Sequence, residues 1–481
     1  MRGQPAVIRR AKIICTIGPA SRDPETFRRL VDAGMDAVRV NFSHSSHEDA
    51  ARTIALAREV ARDVGRPLAV LADLQGPKIR VGVLPGPLDI ARGEVYVFEA
   101  LHDADAGASG GAIPITYPDL ASEMETGDRL LFDDGRIAFV VEEVDGTRVT
   151  ARARTNGVLL SRKGLNLPGK ALAVPSMTHK DRLDLEFALE QGVDYVALSF
   201  VRRAADLAAL RELVDDDVLI IAKIEKEQAV RNLVEILSLA DGVMVARGDL
   251  GVELDFEEVP IVQKRVLRLS QESISIGITA TQMLESMTFT SRPTRAEVSD
   301  VANALLDGTD VVMLSGETAM GEYPVEAVQA MDRVARRIES ESGFLEDPSD
   351  VGVPLVRSGV HRTVPGAIAG AAVEATHRLG APFLITLTTS GFTARLLAAQ
   401  RPRVPILAVT DKERTYRQLA LAWGVVPIFH DEPVSYDTML ARARRYAFEH
   451  GLAEPGRQCV VTAGMPFDVP GTTNYMRVET L

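Results

Sequence analysis

Eight times along this chain a short apolar run stops abruptly at polar side chains, and that repeated pattern limits the possible folds more than any other feature. The runs are Lys12–Thr16, Ala37–Asn41, Leu68–Asp73, Tyr195–Ser199, Val218–Lys223, Gly242–Ala246, Ile276–Thr281 and Val311–Ser315. Helix-length segments separate most of them: Pro24–Ala33, His47–Val64, Lys180–Gln191, Ala205–Val214, Val230–Ala240, Val259–Gln271 and Arg295–Leu306. Apolar runs alternating with amphipathic helices predict βα units around a parallel sheet, and eight of them suggest a closed (β/α)8 barrel. An open doubly wound sheet satisfies the same pattern. In a barrel, chemistry gathers at the C-terminal strand ends, where the polar residues fall here.

The third and fourth runs are about 120 residues apart, far more than one helix requires. Glu94–Glu99, Arg129–Phe132, Ile137–Val144 and Arg148–Ala153 are β-rich and separated by turn residues such as Asp133-Asp134-Gly135 and Asp145-Gly146, which predicts an inserted β-domain. Ser342–Ser358, rich in Gly, Pro and Asp, has the composition of a domain boundary. A second α/β pattern follows, with apolar runs Phe383–Thr388, Ile406–Val409, Val425–Ile428 and Cys459–Thr462 between helical segments Ile368–Leu379, Ala394–Gln400, Arg414–Leu421 and Tyr436–His450. The expected division is residues 1–76 and 175–345 for the barrel, 77–174 for the insert and 359–481 for a C-terminal open-sheet domain.

The 481 residues are 46% hydrophobic, enough for ordinary buried cores, and carry a formal charge of −13 that works against nucleic-acid and anionic-membrane binding. A small anionic substrate would need a locally basic pocket. Cys15 and Cys459 are too few for a disulfide framework or zinc cluster, and read as small buried hydrophobes in a reducing cytoplasm. Arg2, Arg9 and Arg10 precede no long apolar core, so neither a signal peptide nor a membrane span is expected.

In Val218–Glu225 the apolar run ends in Lys223 and Glu225, two residues apart and so on one face of a strand. Arg39, Asn41 and Ser43 alternate with Val38, Val40 and Phe42 in the same way, suggesting a ligand site; a polar-out flank would suit an antiparallel sheet better. Glu225 and Asp249 end consecutive runs, and two such carboxylates suit Mg²⁺, although carboxylates at strand ends also cap helices. Lys223 beside them favours phosphoryl chemistry, because lysine plus a bound divalent cation neutralises the charge on a transferring phosphoryl group. Small residues around Asp249, in Ala246-Arg247-Gly248-Asp249-Leu250-Gly251, would let backbone N–H groups approach an anion, though turns need glycine too. Gly164-Leu-Asn-Leu-Pro-Gly169-Lys170-Ala171 nearly matches a phosphate-binding P-loop, but Ala171 lacks the metal-binding hydroxyl and Pro168 disrupts the amide cradle.

Together these segments resemble the pyruvate kinase family. The resemblance runs from Lys12-Ile-Ile-Cys-Thr-Ile-Gly-Pro-Ala-Ser21 through Arg39-Val-Asn-Phe-Ser-His44, Asp73-Leu-Gln-Gly-Pro-Lys-Ile-Arg80 and Arg162-Lys-Gly-Leu-Asn-Leu-Pro-Gly169. It continues through Lys223-Ile-Glu225, Met244–Glu253, Ala280–Met287 and Pro293–Asn303 to Met313-Leu-Ser-Gly-Glu-Thr-Ala319. It implies a TIM barrel with an inserted small β-barrel domain and a C-terminal α/β domain, in a cytoplasmic homotetramer. The implied reaction moves the phosphoryl group of phosphoenolpyruvate to ADP, giving pyruvate and ATP. Glu225 and Asp249 would hold Mg²⁺, with Mn²⁺ as a substitute, Lys223 would stabilise the phosphoryl group in flight and Arg39 would pair with it. Amides near Gly248 and Asp249 with the Thr281 hydroxyl would hold the carboxylate, and Asn41, His44, Arg80 and Lys163 would meet the nucleotide. Thr281 and ordered water are the candidates for protonating the enolate.

Three places depart from the family. Many members bind K⁺ through residues matching Asn41, Ser43, Asp73 and the carbonyl of Leu74, and have Asp-Thr-Lys-Gly-Pro-Glu where this chain has Asp-Leu-Gln-Gly-Pro-Lys. The ammonium of Lys78 is therefore expected to stand in for the monovalent cation, so that K⁺ is not required; the alternative is a solvent-facing hinge lysine. Ser273-Ile-Ser-Ile-Gly-Ile278 replaces the usual approach to Thr281, and Gly464–Asn474 lacks the tryptophan loop of animal-type enzymes that bind fructose 1,6-bisphosphate. Thr388-Thr389-Ser390-Gly391-Phe392-Thr393, between a strand and a helix, suggests an allosteric phosphate site for AMP or a sugar monophosphate, although a Ser/Thr helix cap explains the motif as well. A Mg²⁺-dependent lyase acting on pyruvate would not need Lys223 or the insert, and a non-catalytic metabolite sensor would not keep every matched position.

Overall fold

The structure is a computed structural model whose described residues are 8–101, 111–170, 174–341, 363–466 and 472–481. The boundary expected at Ser342–Ser358, Ala171 of the rejected P-loop match and residues 467–471 of the Gly464–Asn474 stretch lie outside them. The eight expected runs form parallel strands at Lys12–Thr16, Ala37–Asn41, Ala69–Asp73, Tyr195–Leu198, Leu219–Ile224, Gly242–Ala246, Ile276–Ala280 and Val311–Leu314. The eighth pairs with the first, Lys12 opposite Val311, so the sheet closes into a barrel and the open-sheet alternative is excluded. Side chains alternate along each strand. Ile14, Leu71, Ile221 and Met313 fill the interior. Ile13, Val70, Ile220 and Val312 turn outwards to the helices, which is why the runs are continuously apolar.

Between the third and fourth barrel strands lies a six-stranded sheet. Its order is Leu165–Asn166, Arg129–Phe132, Ile137–Asp145, Arg148–Ala153, Val95–Ala100, Ile113–Ile115. The segment around Val81 joins both edges: its N–H donates to Lys163 O and that of Gly82 to Pro114 O, each at 2.8 Å. The result is a small closed barrel around Phe98, Phe132 and Phe139. Gly76, where the chain leaves the large barrel, donates its N–H to Asp181 Oδ1 at 3.0 Å. Asp181 also forms the capping box of the helix His179–Glu190 on the returning chain, so departing and returning segments are tied together.

Two expectations fail locally. The helix expected over Val230–Ala240 is instead a pair, Glu227–Arg231 and Leu233–Leu237, broken at Asn232, whose side-chain amide donates to Arg202 O at 2.9 Å. The C-terminal sheet, ordered Val425–Phe429, Ile406–Thr410, Leu384–Leu387, Gln458–Gly464, Thr473–Thr480, has an unanticipated antiparallel edge strand in the last of these. Most of that strand's side chains are exposed or half-buried, so it carries no apolar run.

The segment Gln418–Val425 closes the N-terminal mouth of the barrel. Ala420 and Leu421 join the interior cluster, the Tyr195 hydroxyl donates to Gln418 O at 2.7 Å and Lys12 Nζ donates to Val425 O at 2.8 Å. Burial holds the Lys12 ammonium down to about 8, despite nearby Asp36. Between that value and the ordinary 10.5 the unfolded chain binds the extra proton, so stability rises with pH across this window. The penalty, roughly 1–3 kcal/mol, is present below about pH 8 and relieved above it. Thermal unfolding of the wild type and Lys12→Met from pH 7 to 10 should therefore show the difference shifting in the wild type's favour as pH rises. A constant difference would contradict this account.

Candidate active site

The polar residues that end the strands converge at the opposite, C-terminal mouth. Lys223 Nζ lies 2.8 Å from Glu225 Oε1, 2.8 Å from Ser199 Oγ and 3.3 Å from Asp73 Oδ1. Arg39 grips the other oxygen of Asp73, with Nε at 2.7 Å and Nη2 at 2.6 Å, and its Nη1 donates to Thr16 Oγ1 at 3.0 Å. Burial alone would push Asp73 up, but the charges of Lys223 and Arg39 hold it below the ordinary carboxylate range. Burial likewise disfavours the Lys223 ammonium, and Asp73 and Glu225 overcome that to raise its pKa. The lysine therefore stays a cation at every pH of interest.

Glu225 Oε2 accepts the N–H of Phe200 at 2.9 Å, a residue held at φ 54. The strand itself stops at Ile224. Asp249, expected at the end of the next run, lies just beyond that strand in the short helix Arg247–Glu253. Burial, then the charge of Glu225, pushes its carboxyl up to about 6. The buried Glu225 and the half-buried Asp249 repel each other, and this hard-oxygen donor pair fits a divalent cation such as Mg²⁺. Among the described residues no group of three or more His, Cys, Asp and Glu is placed to hold a metal, so further ligands would come from substrate and water.

Thr281 has φ 65 and Gln282 φ 55, a left-handed conformation unusual for a β-branched residue. Arg247 holds this turn: its Nη2 donates to Thr281 O at 2.8 Å and Gln282 O at 2.9 Å, and its Nη1 pairs with Asp300 at 2.7 Å. Thr281 Oγ1 accepts the Gly248 N–H at 2.9 Å. The hydroxyl and the amide expected to share a carboxylate thus bond each other here. The Ser273–Ile278 departure resolves into a turn with Ile274 at φ 60, after which Ile276–Ala280 pairs with both neighbours.

Of the expected nucleotide contacts, Asn41 and His44 lie on the barrel and Arg80 and Lys163 on the insert. The second strand ends at Asn41, so Ser43 sits in the following turn rather than on the strand face, its N–H donating to Asn41 Oδ1 at 3.1 Å. His44 is held below its usual pKa by burial and then by Arg80, Lys78 and Arg39, which places these cations around it. Arg80 donates to Arg162 O at 3.1 Å and Lys163 pairs with Asp133 at 2.6 Å. Lys78 is half-buried, its side chain against Gly164, and among the described residues its ammonium makes no hydrogen bond or ion pair.

Two segments of the chain match family models, residues 8–328 the one described as pyruvate kinase, barrel domain, and residues 366–479 the one described as pyruvate kinase, alpha/beta domain. The chain belongs to the pyruvate kinase family. It is 43% identical over 474 residues to a pyruvate kinase of Agrobacterium vitis, spanning 98% of this chain and 96% of the relative. It is 41% identical over 471 residues to one of Methylorubrum extorquens, spanning 98% and 97%. A Geobacillus stearothermophilus pyruvate kinase, 43% identical, is longer and is spanned over 80% of its length. Pyruvate kinases are phosphotransferases, and the cation-lined mouth described above has the charge that such chemistry requires.

In the C-terminal domain of this pyruvate kinase fold, Gly391 at φ 76 precedes the helix Phe392–Ala399. Thr388 Oγ1 accepts the Gly391 N–H at 3.0 Å, Thr393 and Thr473 share a 2.6 Å hydrogen bond, and Thr415 Oγ1 donates to Thr389 O at 2.8 Å. Ser390 is half-buried. Two residues at the active mouth escaped the sequence reading. Thr16, which accepts from Arg39, carries no signal of its own within the Lys12–Ser21 stretch, and Ser199, the direct neighbour of Lys223, is indistinguishable in sequence from a serine capping a strand end. Among the described residues no helix is long and apolar enough to cross a membrane.

Proposed function

We propose that this pyruvate kinase family member transfers the phosphoryl group of phosphoenolpyruvate to ADP, using Mg²⁺ held by Glu225 and Asp249. The observation that carries the residue assignment is the unbroken chain Arg39–Asp73–Lys223–Glu225 at the strand ends. Bound there, Mg²⁺ would supply a Lewis acid for substrate oxygens. Arg39 orients the phosphoryl group, and Lys223, kept protonated, offsets the charge on its non-bridging oxygens as the bond to the enol oxygen breaks and that to the terminal ADP oxygen forms. The Gly248 amide and the Thr281 hydroxyl exchange their mutual hydrogen bond for the substrate carboxylate, which the Asp249 amide also meets. The enolate then takes a proton on carbon, with Thr281 or ordered water as the relay.

Asn41 and His44 on one side and Arg80 and Lys163 on the other receive the nucleotide. The insert, which carries the latter pair, acts as a lid that excludes water. Mn²⁺ substitutes for Mg²⁺. The charge of Lys78 takes over the role of a K⁺ that relatives bind at positions matching Asn41, Ser43, Asp73 and Leu74. The Thr388–Thr393 loop binds the phosphate of AMP or a sugar monophosphate, with Ser390 contributing its half-buried hydroxyl. The enzyme works as a homotetramer in the cytoplasm, an assembly that light scattering at assay concentration would reveal or refute.

Pyruvate formation from phosphoenolpyruvate and ADP should require Mg²⁺ or Mn²⁺ and proceed equally with K⁺ or with a large inert cation. AMP or a sugar monophosphate should shift the phosphoenolpyruvate saturation curve, and Ser390→Ala with Thr393→Val should abolish that shift. No turnover under any of these conditions would overturn the assignment, and an unresponsive wild type would remove the effector site.

A further inference from the structure

We infer that Ser199 is a positioning residue for Lys223, joining the lysine to the backbone at the root of the lid. The inference rests on the proposed role of Lys223 in phosphoryl transfer. Ser199 follows the fourth barrel strand, is buried, and holds its hydroxyl between two partners: Oγ donates to Leu74 O at 2.7 Å and lies 2.8 Å from Lys223 Nζ. The single hydroxyl proton is committed to the Leu74 carbonyl. Only a lone pair is left for the lysine, so the ammonium must donate.

That direction fixes the geometry of the cation. An ammonium has three N–H groups; here it donates to Ser199 Oγ, and the carboxylate oxygens Glu225 Oε1 and Asp73 Oδ1 lie 2.8 and 3.3 Å from Nζ as ion-pair partners. The two carboxylates alone would draw Nζ towards the line between them. The neutral hydroxyl supplies a third direction without adding charge, so it orients the ammonium while leaving its electrostatic field intact. A flexible four-carbon side chain needs such a constraint if its charge is to meet a phosphoryl group at a fixed point.

The second partner extends the consequence. Leu74 begins the segment that runs from the third strand into Gly76, and Gly76 is anchored to Asp181 of the returning chain. Space there is tight: a Cβ on Gly76 would lie 3.0 Å from Ser199 Cβ and 2.7 Å from the Phe200 ring. Movement of the lid root therefore reaches Ser199 through one hydrogen bond and Lys223 through the next.

The experiment compares wild type, Ser199→Ala and Ser199→Thr by steady-state kinetics and thermal unfolding. The expected result for Ser199→Ala is a fall in kcat of about tenfold or more, with both KM values within about twofold. Its unfolding temperature should lie close to that of the wild type, and Ser199→Thr, which keeps the hydroxyl, should recover most of the lost kcat. Unchanged kcat in Ser199→Ala would overturn the inference, as would equal losses in kcat, KM and unfolding temperature, which would mark a packing role. If Ser199→Thr does not fold, the kcat-against-KM split of Ser199→Ala decides alone. An inactive wild type would refute the underlying kinase reading instead, so the two failures are distinguishable.

Discussion

Lys223→Met is expected to lower kcat by about 10³-fold or more while leaving the KM for phosphoenolpyruvate within a factor of roughly five. The lysine is buried and permanently charged, and it approaches the strand-end cluster from the inside of the barrel, where water screens little. Its field acts most strongly on charge that develops during transfer, which is the condition for an effect on kcat rather than on ground-state binding. The substitution also has a structural price: Glu225 loses its cation while facing Asp249, and Asp73 is left with Arg39 alone. A lowered unfolding temperature is therefore expected, by an amount consistent with about 3–5 kcal/mol for a broken buried pair. Calorimetric titration with Mn²⁺ separates the two effects. Removing a neighbouring positive charge should leave divalent binding intact or tighter, whereas a collapsed site would bind nothing. Activity within tenfold of wild type in a folded variant would remove Lys223 from its assigned role.

Lys78→Glu is expected to make activity depend on K⁺, with turnover in K⁺-free buffer about tenfold or more below that of the wild type and restored by added K⁺. Two unit charges about 8 Å apart interact by about 2 kcal/mol at an effective dielectric constant near 20, and the substitution reverses the sign of one such charge. The ammonium adds to the downward pull on His44 and partly offsets the upward push that burial and Glu225 exert on Asp249, so its field reaches both residues. It does so without a hydrogen bond or ion pair among the described residues, its stem resting on Gly164 of the insert. A long-range electrostatic role thus fits better than direct replacement of a bound ion by ligation. Strict K⁺ dependence of the wild type would end this explanation, and so would a Lys78→Glu enzyme that K⁺ does not rescue.

The barrel was legible in the sequence because each of its strands is covered on both faces and so must be apolar throughout, up to the polar residue that meets the site. Lys223 and Glu225 stood out for the same reason, as charges at the end of such a run, and Arg39 because it alternates with apolar neighbours inside one. Elements that lack this contrast were not legible. Thr473–Thr480 pairs on one side only and is largely exposed, so nothing in its composition separates it from a loop. The break at Asn232 depends on a carbonyl 30 residues away in the chain, at Arg202, which no local pattern contains. Ser199 is the instructive case in the site, since a serine after a strand has many uses and only the positions of Lys223 and Leu74 select one. The small barrel of the insert closes through isolated bridges at Arg80 and Val81 rather than a regular strand, which hid the closure from any search for β-rich runs.

The stopper formed by Gln418–Val425 means that sequence modules and folding modules do not coincide in this chain. The family segments divide between residues 328 and 366, yet Ala420 and Leu421 belong to the same packed interior as Ile14 and Met313. A barrel separated from its C-terminal partner would open its floor to water and strand the Tyr195 hydroxyl and the Lys12 ammonium without their acceptors. Exchange of the C-terminal domain between relatives is consequently constrained by the shape of that floor, so the two parts must change in step as the family diversifies.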